Sequence, residues 1–98
     1  MEILKDCQAL HEELQNLHKE LRYVTVKLER NDSSPEELLK LYEDEFRIAM
    51  NIMGCFEDLL MRLDELEKTA GMLFIANRIR NNAQLMVVSG GIDVTGDV

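Results

Sequence analysis

Ninety-eight residues make a single domain, since domains usually run from about 50 to 250 residues. A hydrophobic share of 46% beside 31% charged residues is the balance of a folded chain, and the 5% of aromatics, the lack of Trp and the single Pro suit helices better than an all-β sandwich. The formal net charge of −8 excludes ordinary binding to a nucleic-acid backbone, which needs a basic surface, and leaves room for a basic protein partner.

The first element is the plainest. Ile3, Cys7, Leu10, Leu14, Leu17, Leu21, Val24 and Leu28 recur at alternating spacings of four and three. That is an unbroken heptad series, and it predicts a helix over 3–29 packed in a left-handed, coiled-coil-like seam. Lys5, Glu12, Lys19 and Arg22 mark its solvated side. Lys27 and Arg30 stand where cations favour a helix end, and Asn31-Asp32-Ser33 is turn composition. Ser34-Pro35-Glu36-Glu37 then supplies a helix start, with Ser34 as N-cap, Pro35 in the first turn and Glu37 closing a capping box. A turn over 30–34 between two long helices folds them back antiparallel.

The second helix is expected over 35–70 and is greasier. Tyr42, Ala49, Phe56, Leu63 and Ala70 form one seven-residue series, and Leu38, Glu45, Ile52, Leu59, Leu66 and Leu73 form its partner. Leu39, Phe46, Met53 and Leu60 run along one flank, with Leu41, Ile48 and Cys55 along the other. Between 38 and 60 the apolar face is wider than the roughly 100° stripe that one neighbouring helix covers. The preceding helix is also shorter than this one, so the excess surface must meet a third segment, a second copy or a partner. Leu41, Phe46, Ile48, Met50, Met53, Cys55, Phe56 and Leu60 are the candidate interface residues, and the methionines add deformable surface.

Gly71 marks a kink or cap, after which a shorter helix is expected over 72–84. Leu85–Ser89 reads as a short strand, Gly90-Gly91 as a hairpin turn, and Ile92–Thr95 as the strand that pairs back; the other reading of 85–98 is a disordered tail. The expected fold is therefore all-α, a helical hairpin domain over 1–84 with a third helical piece, self-associating into a homo-oligomer.

Little in the chain stands for chemistry. His11 and His18 lie seven apart without the closer spacing of metal-binding pairs, and Gln8 and Gln15 occupy the positions a carboxylate–histidine di-iron motif gives to Glu. In a parallel pairing of two first helices, Glu13 would face His18 and Asp6 would face His11 of the other copy; exposed histidines without a role are the plainer reading. Ten carboxylates against three cations fill 36–67, and Asp64-x-x-Glu67 has a Mg²⁺-binding spacing with no second set to face it. Glu57, Asp58, Asp64 and Glu65 read instead as an acidic face. Arg78 and Arg80, among Asn77, Asn81, Asn82 and Gln84, form a basic, amide-rich patch suited to an anion. Cys7 and Cys55 fall in apolar stripes and read as reduced core thiols. There is no Gly-rich phosphate loop and no nucleophile with its base. No enzyme, metal or cofactor is expected.

Residues 34–66, a capped turn followed by an amphipathic helix, are similar in outline to rod and needle subunits of type III secretion. The small secreted hairpins with Trp-x-Gly in the turn do not match, because this turn is Asn31–Pro35 and the chain has no Trp.

Those observations point to a non-enzymatic protein-binding module: an acidic helical adaptor, chaperone or inhibitor that self-associates and takes a partner on an apolar helix face. The alternatives are an acidic phage- or plasmid-type inhibitor of a basic nucleic-acid-binding protein, a secretion-type structural or chaperone subunit, and a nucleotide or anion sensor at an oligomer interface. Residues 1–15 carry no secretory apolar run and no stretch approaches the ~20 residues of a membrane span. The expected home is the cytoplasm, of a cell or of an infected host, without direct contact to nucleic acid or membrane.

Overall fold

The computed structural model describes residues 2–30 and 32–89. Three helices account for nearly all of them: α1, Glu2–Arg30; α2, Pro35–Ala70; and α3, Leu73–Ser89, with no strand among the described residues. The expected bounds of the first two helices hold to within one residue. The turn forms for the reasons its composition gives. Ser34 is extended (φ −68°, ψ 161°), its hydroxyl accepts the Glu37 N–H at 3.3 Å, and its carbonyl accepts the Leu38 N–H at 2.9 Å. Pro35 sits in the first turn, where no N–H is required.

The long heptad face of α1 packs antiparallel on α2. The pairing is fixed where Cys55 Sγ donates to the Leu10 carbonyl at 3.4 Å, so the start of α1 lies beside the end of α2. Cys7, Leu14, Leu21 and Val24 from α1 meet Ile48, Ile52, Cys55, Leu59 and Leu66 from α2 in a single core.

At the far end of α2, Gly71 adopts φ 65°, a left-handed cap conformation that glycine takes without steric cost, and donates to the Glu67 carbonyl at 3.0 Å. The chain then reverses into α3, which touches both other helices and contributes Ala76, Ala83 and Val87 to the core. Arg80 fastens it to α2 through Glu67 at 2.6 Å, with both side chains mostly buried.

The third helix is longer than expected. Residues 85–89, read from sequence as the first strand of a hairpin, continue the helix. A short continuous apolar run suits a strand or a helix alike, and here it extends the helical stripe of Ala76, Ala83 and Val87 with Ile79 and Met86, which packs into the common core. The second strand expected at 92–95 lies outside the described residues.

Gly54 sits in the middle of α2, exposed, with nothing within 4 Å of where a Cβ would stand. Glycine inside a helix costs roughly 0.5–1 kcal/mol relative to alanine, so Gly54→Ala is expected to stabilise the fold by about that amount in urea unfolding. A destabilised Gly54→Ala would show that something packs closely on that surface.

Candidate functional site

At 1.5 Å per residue α2 is about 54 Å long, α1 about 43 Å and α3 about 26 Å. The molecule measures 52 Å on its longest axis, so α2 alone runs its full length. α1 follows it for most of that distance. α3 covers only the carboxy-terminal half.

The effect is legible along one series of α2. Tyr42, Ala49, Phe56 and Leu63 are seven apart and share a face. Phe56 and Leu63 are buried where α3 lies over them, whereas Tyr42 is exposed and Ala49 half-buried where α3 has ended. Beside Tyr42, the flank of Leu39, Phe46 and Met53 is uncovered in the same way. The result is a continuous apolar row: Leu39, Tyr42, Phe46 and Met50 are 63%, 57%, 70% and 53% exposed, with Ala49 and Met53 half-buried among them. Spacings of three and four keep these side chains on one strip, so a partner helix would meet all of them at once.

The candidate interface residues thus divide. Phe46 and Met50 lie on the open row, and Met53 lies half-buried on it. Ile48, Cys55 and Phe56 are buried within the chain, and Leu41 and Leu60 are half-buried. Leu39 and Tyr42 join the row although the sequence reading set Tyr42 in the seam. The core on α2 leans toward the Leu41–Ile48–Cys55 flank, which faces α1, and leaves the Tyr42 series for α3. The signal that would have found them was the length of the third helical segment, too short to accompany α2 to its start.

The four residues of the expected acidic face do not share one surface. Asp58 and Glu65 line a shallow depression of about 520 Å³ with Asp6, Leu10, Met61 and Arg62, while Glu57 and Asp64, one residue earlier in each turn, are not part of its lining. Glu65 pairs with Arg62 at 3.5 Å and Asp64 with Lys68 at 3.0 Å. These are exposed pairs of small energetic weight. Arg80, expected with Arg78 to contact an anion, is occupied by Glu67 and by the side-chain oxygen of Asn77; Arg78 is exposed. Among the described residues no group of three His, Cys, Asp or Glu side chains is placed to hold a metal ion.

Near the turn, α1 and α2 frame an open groove of about 810 Å³. Val24, Leu41 and Ile48 floor it, and Lys19, Lys27, Arg30, Lys40 and Arg47 share its rim with Glu20, Asp32, Glu37 and Asp44. Lys27 stands over the Tyr23 ring at 4.7 Å and Arg47 pairs with Asp44 at 3.7 Å. The mixed rim gives this groove no strong preference for either sign of charge.

The seam of α1 that a parallel pairing of two first helices would use is packed within the chain's own core. His11 lies half-buried with Nε2 enclosed and no hydrogen-bond partner among the described residues. Both thiols are buried and free. Burial, reinforced by the carboxylates of Glu13 and Asp58, pushes Cys55 up to about 11; burial and Asp6 raise Cys7 against the opposing charge of Arg62.

No helix among the described residues is long and apolar enough to cross a membrane. Comparison with protein families, curated proteins and solved structures finds no match for the chain.

The thiolate is the nucleophile, so in the native protein near pH 8 both cysteines are expected to label with a maleimide at least ~100-fold more slowly than in the unfolded chain. A raised thiol holds its proton in the folded state after the unfolded chain has lost its own. Stability is therefore expected to fall as the pH rises from about 9 toward 11. Fast native labelling of either thiol would contradict the packing of the α1–α2 seam.

Proposed function

We propose that this chain is a non-enzymatic protein-binding module that works in the cytoplasm and docks another helix on the outer row of α2. One observation carries the reading: four large apolar side chains, Leu39, Tyr42, Phe46 and Met50, stand mostly exposed in an uninterrupted helical strip. Isolated exposed apolar residues are ordinary on protein surfaces, but a contiguous patch is a mark of an interaction site. The adaptor, chaperone and inhibitor roles all use such a surface. The row also favours apolar docking over the acidic-inhibitor alternative, because the acidic side chains point in different directions and two of them already hold cations.

The outer side of α3 is the competing surface, with Phe74, Leu85 and Val88 exposed. Arg78 and Asn81 interrupt it at its centre, where a docked helix would have to desolvate them. The α2 row has no such interruption.

Benzoylphenylalanine in place of Phe46 tests the reading in cells that make the protein, with the same residue in place of Glu12, exposed on α1, as control. Irradiation is expected to give one discrete adduct from position 46 and none from position 12. Equal or absent crosslinking at the two positions would refute the docking role of the row.

A further inference from the structure

We infer that the occupant of this row is a second copy of the chain, held antiparallel with the two-fold axis beside Phe46. The inference rests on the docking role proposed above and assigns its partner and register. The row is self-complementary about its centre. Setting residues opposite one another when their numbers add to about 92 places Phe46 against Phe46, Tyr42 against Met50 and Leu39 against Met53, so every large apolar side chain of one copy meets one from the other.

The charged residues beside the row select this register. Glu43 lies on its outer flank, with Arg47 one turn further on between that flank and the rim of the α1–α2 groove, and in an antiparallel pair related by a two-fold axis the same flank of each helix comes together. Glu43 of one copy then stands beside Arg47 of the other, and symmetry repeats the pair. Arg47 is available for it, since its contact to Asp44 inside the chain is 3.7 Å long and solvent-exposed. The same register sets Glu36 near Glu57 of the other copy at each end of the seam, a repulsive contact. Moving the axis one turn toward the carboxy terminus, to Met50, makes opposed numbers add to 100, which would set Glu43 against Glu57 and lose the favourable pair.

The seam runs from Pro35 to Glu57, about 34 Å of two-helix contact. A single short two-helix seam belongs with the smaller, transient interfaces, so the dimer is expected to dissociate in the micromolar range. One end of each copy stays a closed three-helix unit, and the other end is closed by the partner.

Sedimentation of the full chain over the micromolar range tests the assignment. Glu43→Lys and Arg47→Glu are each expected to raise the dimer dissociation constant about tenfold, because each change acts twice across the axis. The double variant is expected to return to within about threefold of the wild type. Glu57→Lys removes the repulsion and is expected to tighten the dimer several-fold. Glu43→Lys and Glu57→Lys alter the net charge identically, so opposite effects distinguish register from general repulsion. All three positions are exposed, and unchanged helicity by circular dichroism confirms that the variants fold. A wild-type dimer unmoved by the single changes, or not rescued by the double one, overturns the register and leaves the docking reading standing. A wild type that stays monomeric at several hundred micromolar overturns the second copy as occupant, and the mass of the adduct from position 46 then reports another partner.

Discussion

The structure depends on a mismatch of length. α2 needs apolar neighbours along more than one side for most of its 36 residues, and the chain supplies one long helix and one short one. Where α1 and α3 are both present, Phe56, Leu59, Leu63 and Leu66 close into a three-helix core. Where α3 is absent, a helix whose apolar arc is too wide for one neighbour leaves part of it in water. Burying a large apolar side chain is worth roughly 1.5–3 kcal/mol, so an open row of four holds substantial driving force for association. The two ends of one helix thus take different roles: one fastens the fold and the other presents a surface.

Polar interactions support that division. The ion pair between Arg80 and Glu67, the partly buried link between α3 and α2, lies at the closed end. The capping of α2 by Ser34 and its termination at Gly71 define where α1 and α3 can join it, and hence how far along α2 each can reach. Apart from Glu67, the paired acids of α2 hold cations one turn away, Asp44 with Arg47, Asp64 with Lys68 and Glu65 with Arg62, an arrangement that suits solubility. The cysteines, raised by burial, belong to the seam.

Much of the fold was readable from local pattern. The four–three alternation of α1, the Ser34-Pro35-Glu36-Glu37 start and the glycine at 71 are short-range signals, and each element bound they set is found where expected. The width of the α2 face was also readable, including the inference that one neighbour could not cover it. Which residues remained uncovered was not. That depends on where α3 ends and on which way the core of α2 leans, and both are tertiary outcomes. Ile48, Cys55 and Phe56 looked like interface because they are apolar and flank the seam, yet packing against α1 and α3 buries them. Leu85–Val88 misled for a related reason, since a short apolar run carries no clear period until the surface it packs against is known.

The central claim is that the amino-terminal half of α2 presents an apolar row that another helix must cover, and that a second copy covers it. Absolute mass by light scattering across low and high micromolar concentration, for the wild type and for Phe46→Asp, tests this most directly. The wild-type mass is expected to rise from 11.3 kDa toward twice that value while Phe46→Asp stays at the monomer mass with its helicity intact. A wild type that remains at the monomer mass throughout, or a Phe46→Asp variant that associates as strongly as the wild type, would contradict it.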